Sequence, residues 1–248
     1  MYLSYFVAMI NKIKKYYHRQ IFEPGFLGLF INPFYIARKA LYTNIKNLAK
    51  EINGLTLDIG CGNKPYEYLY DVSKYIGLDL KTSIHNVQTF ADIFYNGKHI
   101  PVKDNTIDSI VCNQVFEHVF EPDKFLAEIN RVLKNNGILL ISLPFVWDEH
   151  EQPYDYARYS SFGIKFLLEK HGFNIKLHIR TVNDFSLFAQ LLNLYFYKLV
   201  YKKNSFIKKV VTLFVMSPIT IFGVLLGKIL PKNNDLFLDS IILATKNN

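Results

Sequence analysis

The sequence predicts an α/β protein built on a doubly wound, mainly parallel sheet. Three observations carry that expectation. Residues 55–66 (LTLDIGCGNKPY) form a short apolar run that closes on an acid and then on two glycines one residue apart. Further short apolar runs recur at 75–80 (YIGLDL), 109–112 and 138–143 (ILLISL). Between the last two lies a stretch with helical spacing, 122–133, whose Phe125, Leu126, Ile129 and Leu133 share one face. Buried strands alternating with amphipathic helices are the layers of such a fold.

Each element follows from local chemistry. The first strand, Leu55–Ile59, lies between Asn53-Gly54 and the glycines, and its apolar residues suit burial on both faces. Gly60 and Gly62 let the chain turn and bring backbone against a ligand that a Cβ would obstruct. A helix is predicted over 65–72, with Pro65 in its first turn and free N–H groups at its start. A dinucleotide fingerprint wants a third glycine where Pro65 stands, which disfavours a pyrophosphate cofactor such as NAD. The second strand, 75–80, carries Asp79 about 20 residues past the first turn, where a ribose-binding carboxylate belongs. A third strand is predicted over 86–91, with Asp92 and Ile93 behind it. Residues 101–108 (PVKDNTID) lead into the fourth strand, 109–112, which is followed by Asn113, Gln114 and Val115-Phe116-Glu117-His118-Val119. Asn135-Asn136-Gly137 stops the helix before the fifth strand, 138–143, which ends at Pro144. The sixth and seventh strands are predicted at 173–179 (FNIKLHI) and 236–244 (LFLDSIILA).

This succession resembles the class I S-adenosylmethionine (SAM) methyltransferases, especially the small-molecule branch of ubiquinone- and menaquinone-type enzymes. The resemblance runs over residues 55–144 and rests on six signals in order: D-I-G-C-G, two acids after strands, the Pro101–Asp108 block, Glu117-His118-Val119, and a block of Glu128, Arg131, Val132, Leu133, Lys134 and Gly137 before a closing strand. It implies a Rossmann-like seven-strand sheet with the last strand antiparallel, and S-adenosyl-L-methionine as cofactor. Gly60 and Gly62 would pass beneath the methionine portion, with Asp58 near its ammonium. Asp79 would accept from both ribose hydroxyls. Asp92 would take the adenine amino group between the apolar walls Leu80 and Ile93. Asn113 and Gln114 would face the methionine end. Asp58 as a loop carboxylate and Asp92 as a helix N-cap are the plain alternatives.

After the fifth strand comes an unusual polar stretch, 147–160 (WDEHEQPYDYARYS), at the strand end where ligands bind in this architecture. His150, with Glu151 or Asp155 as orienting partner, is a candidate general base, and His118 is the second. An ordinary histidine pKa near 6.5 suits proton removal from a hydroxyl. Trp147, Glu151, Asp155, Arg158 and Tyr159 are the candidate acceptor contacts, since the stretch resembles a substrate-site motif of methyltransferases encoded with surface-glycan or lipid genes. An Arg158–Asp155 pair that merely holds the loop is the structural alternative.

Composition bounds the remainder. The chain has 248 residues, enough for one α/β domain with an insertion. Its two cysteines give no disulfide framework and no zinc spacing, so no metal is predicted and a reducing, cytoplasmic compartment fits. A net charge of +8 with 16% aromatics is compatible with nucleic acid. Yet the basic clusters, Lys12, Lys14, Lys15 and Arg19 early and Lys198, Lys202, Lys203, Lys208 and Lys209 late, flank apolar stretches, which suits an anionic membrane surface better. No amino-methylation signature of nucleic-acid enzymes follows the fourth strand. Residues 1–10 are apolar without the features of a signal peptide and are read as a helix lying across the protein or on a bilayer.

The connection between the sixth and seventh strands far exceeds an ordinary loop and is apolar over 185–200 and 210–227. Because two strands of one sheet must flank it, it crosses a membrane an even number of times or not at all. Gln190, Asn193 and Lys198 interrupt its first half and Pro218 its second, so a shallow interfacial hairpin is expected. The segments are thus 1–52, an N-terminal helical lid; 53–180, the SAM-binding core; 181–235, the helical insertion; and 236–248, the last strand. The expected function is SAM-dependent O-methylation of a lipid-linked or amphipathic acceptor, peripheral at the inner face of the membrane. The alternatives are a soluble small-molecule acceptor, with the insertion as lid or dimer interface, and a non-catalytic SAM-binding module.

Overall fold

The structure, a computed structural model, describes residues 5, 9, 16, 17, 19–81 and 90–248. The chain divides into two compact units, Asn44–Thr181 with Leu238–Asn248, and Met1–Thr43 with Val182–Phe237. Among the described residues, the helices used below are α1 (Gly28–Ile31), α2 (Tyr35–Leu48), α3 (Pro122–Val132), α4 (Ser161–Lys170), α5 (Ser186–Val200), α6 (Ser205–Val211) and α7 (Ser217–Ile229). Its strands are β1 (Leu55–Ile59), β2 (Lys74–Leu80), β3 (Ile93–Tyr95), β4 (Ile107–Asn113), β5 (Leu133–Pro144), β6 (Phe173–Arg180) and β7 (Asp239–Lys246).

The first unit is the expected Rossmann-like sheet, in the order β3-β2-β1-β4-β5-β7-β6. The first five strands run parallel to one another. Only β7 is reversed, antiparallel to both β5 and β6. Strand order turns between β1 and β4, so the carboxyl ends of these two strands flank the crevice where open α/β sheets bind ligands. Leu57, Ile59, Ile110, Cys112 and Ile141 from the central strands share one fully buried cluster with Phe125, Leu126 and Ile129 of α3. Each such side chain contributes about 1.5–3 kcal/mol by leaving water. Pro122 opens α3, and Ser160 caps α4 by accepting from Gly163 N–H.

Several boundaries differ from expectation. The predicted helix over 65–72 is reduced to a single 3₁₀ turn, Glu67–Leu69. Tyr66 and Tyr70 are both buried, Tyr70 is extended, and its ring stacks on Tyr75 at 5.8 Å. Burying those rings outweighs the propensity of a short segment to coil. The predicted third strand, 86–91, falls mostly outside the described residues, and the strand that pairs with β2 starts at Ile93, after Asp92. β5 begins at Leu133 rather than Ile138, because Leu133 pairs with Ile107 and Ile138 with Ser109, and the chain between makes an excursion with Asn136 at φ 59°. β7 starts at Asp239, after Leu238 N–H donates to the Thr181 carbonyl.

In the second unit, most of the predicted helix over 1–10 lies outside the described residues. The insertion forms α5 and then one continuous helix, Ser205–Ile229, made of α6, a π-helical stretch Thr212–Met216 and α7. Pro218 does not break it. A proline removes one i→i−4 bond and crowds the preceding turn, and the wider π turn immediately before it absorbs that loss. Nor do Gln190 and Asn193 break α5. Both are fully buried: Gln190 accepts from Ala37 N–H and donates to the Pro33 carbonyl, and Asn193 donates to Thr220 Oγ1 at 2.7 Å. Gly223 and Gly227 lie against Ala189 and Asp184 so closely that a Cβ would collide at 2.2 and 2.5 Å. Small residues thus let α5 and α7 approach.

Candidate active site

At the end of β1 the chain must turn sharply without blocking the crevice. Gly60 does so at φ +70°, where a Cβ would stand 2.3 Å from Val115 Cγ2. Gly62, at φ +48°, has nothing within 4 Å of where its Cβ would be, so its backbone faces open space. Gly62 N–H donates to Asp79 Oδ2 (3.1 Å) and Leu80 N–H to Asp79 Oδ1 (2.7 Å). The half-exposed Asp79 is therefore fixed in rotamer at the tip of β2, with lone pairs to spare.

Asp58 is buried and accepts from Tyr75 Oη at 2.6 Å. Burial pushes its pKa up to about 7, with the Tyr75 hydrogen bond opposing. Asp92 accepts from Lys64 Nζ (2.5 Å) and Gly77 N–H (2.7 Å), and the lysine holds its carboxyl below the usual range. Both of these bonds fall on Oδ2. Lys64 was not anticipated. It lies over β2 only because Gly77 has no side chain: a Cβ there would meet Lys64 Cε at 2.4 Å. Ile93 pairs with Leu78. Across the crevice, Asn113 Oδ1 accepts from Ser142 Oγ (3.2 Å) and Gln114, at φ 55°, lies near the same hydroxyl.

A second group gathers on the turn after β4 and the loop after β5. His118 and His150 stack edge to face at 4.9 Å. His118 Nδ1 lies 2.9 Å from the Tyr154 carbonyl, and His150 Nδ1 lies 3.1 Å from Asp155 Oδ2 and 3.3 Å from the Asp148 carbonyl. Burial lowers the His150 pKa. Arg158 grips Asp155 with both terminal nitrogens (2.5 and 2.6 Å) and donates to the Asp148 carbonyl, so it shapes the loop. Glu151 Oε2 lies 3.5 Å from His118 Nε2. Tyr159 packs on Phe116 at 5.1 Å, toward the core. Trp147 is half-buried in the same loop. Sequence reasoning missed Glu117 as a site residue. It is 0% exposed, 3.9 Å from both histidine Nε2 atoms, and burial raises its pKa to about 8.

Residues 57–141 match a family model described as a methyltransferase domain. An uncharacterized protein of Methanocaldococcus jannaschii is 32% identical over 142 residues, covering 53% of this chain and 60% of that protein. A thiol S-methyltransferase of Rattus norvegicus is 25% identical over 130 residues, covering 47% of this chain and 51% of that protein. The fold matches phosphoethanolamine N-methyltransferase 2 of Haemonchus contortus, solved with S-adenosylhomocysteine, at a TM-score of 0.53 and 17% identity over 89% of this chain and 56% of that one. The matched methyltransferase model and the shared fold support a class I SAM-dependent methyltransferase in the sheet unit. The chain spans 60% and 51% of the lengths of these two curated relatives. SAM fits the methyltransferase crevice on its own geometry: open space over Gly62, a braced carboxylate at Asp79 and a buried acid at Asp58 that a bound ammonium would ionise.

Proposed function

We propose that this methyltransferase domain transfers the methyl group of SAM to oxygen on an amphipathic or lipid-linked acceptor at a membrane surface. SAM supplies an electrophilic methyl, so that the S–C bond breaks as the O–C bond forms and the sulfonium becomes a thioether. Gly60, Gly62, Asp58 and Asp79 would hold the cofactor, Asp92 its base, and the acceptor hydroxyl would lose its proton to the His118–His150–Glu117 group. In-line displacement needs little beyond alignment and that proton removal.

One observation carries the choice of acceptor: the insertion is inside out. In the Ser205–Ile229 helix the buried face is Thr212, Met216, Ser217, Thr220 and Gly223, mostly small or polar. The exposed face carries Phe206, Phe214, Phe222, Leu225 and Ile229, with Phe214 71% and Ile229 76% exposed. Only 28% of its apolar stretch is buried, and among the described residues it is the one helix long and apolar enough to cross a membrane. Such a surface suits lipid rather than water. Because β6 and β7 pair directly, the insertion returns to the side it left, which favours an interfacial hairpin over a single crossing. Transfer of labelled methyl groups from SAM to a total membrane-lipid extract, compared with a water-soluble extract, tests the proposal. Label confined to soluble acceptors would remove the lipid acceptor, and no labelled product from either would remove catalysis.

A further inference from the structure

We propose that Glu117, His118 and His150 form a binding site for one divalent ion of the zinc class. The three residues come from the turn after β4 and the loop after β5, and their ligand atoms lie within 4.8 Å of one another. The hydrogen bonds decide which atoms face inward. His118 Nδ1 has the Tyr154 carbonyl as acceptor and His150 Nδ1 the Asp148 carbonyl, with the Asp155 carboxylate 3.1 Å away favouring the proton on the same nitrogen. Each imidazole therefore carries its proton on Nδ1 and presents a bare Nε2 lone pair. Arg158 Nη2 also lies 3.4 Å from His150 Nδ1, but its two hydrogens go to Asp155 and the Asp148 carbonyl, so that contact leaves the tautomer unchanged.

Both Nε2 atoms stand 3.9 Å from Glu117 Oε1, too far for a hydrogen bond. Glu117 is fully buried, and its carboxylate oxygens make no hydrogen bond to any other described residue, with its own backbone N–H favouring the charged form locally. Three inward-facing acceptors with no donor between them are stable only around a cation or an added proton. Metal–ligand bonds of about 2.0–2.1 Å at tetrahedral angles set neighbouring ligand atoms about 3.3–3.4 Å apart, so each Glu117–histidine pair must close by roughly half an ångström and the widest pair of the group by up to about 1.4 Å, a movement of loop side chains. Acceptors on the outer nitrogens of both ligating histidines are the usual support of such sites. Two imidazoles and one carboxylate select zinc over magnesium. The fourth position is left for Glu151, 3.5 Å from His118 Nε2, or for an acceptor oxygen. There the ion would lower the hydroxyl pKa and take over the histidines' part in proton removal. The binding itself stands on this geometry and not on the proposed methyl transfer.

Zinc binding by the chelator-treated full chain, measured by competition with a chromophoric chelator, tests the site. One equivalent per chain is expected. His118→Ala, His150→Ala and Glu117→Gln should each weaken binding at least tenfold, whereas His99→Ala, whose ring sits beside Glu128, should leave it as in the wild type. Cobalt(II) loaded in place of zinc should give the visible ligand-field bands of a four-coordinate site in the wild type, a readout that needs no variant to fold. A wild-type chain that takes up no zinc at tenfold excess, or that loads cobalt without those bands, would overturn the proposal, as would unchanged affinity in folded His150→Ala and Glu117→Gln. S-adenosylhomocysteine binding in the same samples separates the two assignments. Its retention without zinc binding removes the metal site alone, and zinc binding without it removes the cofactor assignment alone.

Discussion

Asp58 and Asp79 leave neighbouring strands as carboxylates in opposite circumstances, one buried beneath Tyr75 and the other half open and braced by two backbone amides. Asp79→Ala should weaken S-adenosylhomocysteine binding by roughly 2–3 kcal/mol in calorimetry, the worth of hydrogen bonds to a charged group; unchanged affinity would remove the ribose assignment. Asp58 predicts a pH dependence. Its carboxyl holds a proton up to about pH 7 in the free protein, and a bound ammonium favours the ionised form. Affinity for SAM should therefore rise as pH goes from about 6 to 8, by up to tenfold per unit below pH 7, and calorimetry on Asp58→Asn should show a flat profile. The turn at Gly60 and Gly62 and the placement of Asp79 at the tip of β2 were legible in the sequence because turn, carboxylate and spacing are local. Lys64 and Glu117 were not. The path of Lys64 depends on the missing side chain of Gly77 on another strand, and what sets Glu117 apart is complete burial, which no run of letters displays.

At the scale of elements, the strands were read well because short apolar runs bounded by turns have few alternatives. The helix over 65–72 was misread because two tyrosines four residues apart buy more by burial than by coiling. In the insertion, polar residues were taken as interruptions when they are the packed seam: Gln190, Asn193 and Thr220 face inward and the phenylalanines face out. Composition located the segment; only coordinates could show which side each residue takes. The double substitution Phe214→Ser with Phe222→Ser should leave the unfolding free energy in aqueous buffer within about 0.5 kcal/mol per site, as exposed positions do. Partitioning to vesicles should fall by about 3 kcal/mol or more, over a hundredfold, if both rings enter lipid. Equal partitioning of both proteins in a flotation assay would mean that this face never meets a bilayer.

For the whole molecule, net charge and apolar surface act together. Lys202, Lys203, Lys208 and Lys209 sit between the insertion's two apolar halves, each worth about 1 kcal/mol near an anionic surface. Binding to anionic vesicles should weaken but persist at high salt, and replacing the four lysines by glutamate should lower it while SAM affinity holds. A chain that ignores such vesicles at low salt would contradict membrane docking. A last consequence follows from the ladder between β6 and β7. Arg180 pairs with Ser240, and Thr181 still exchanges backbone bonds with Leu238 and Asp239, so the insertion leaves and rejoins the sheet at adjacent points. It joins the sheet at one place while packing on Pro33 and Ala37, and a shorter loop between these points lowers the entropy cost of closure. Excising 182–237 in favour of a tight turn should yield a trimmed chain that still grips S-adenosylhomocysteine, and a graft of the hairpin between other paired strands would have to carry the segment around Pro33 and Ala37 with it.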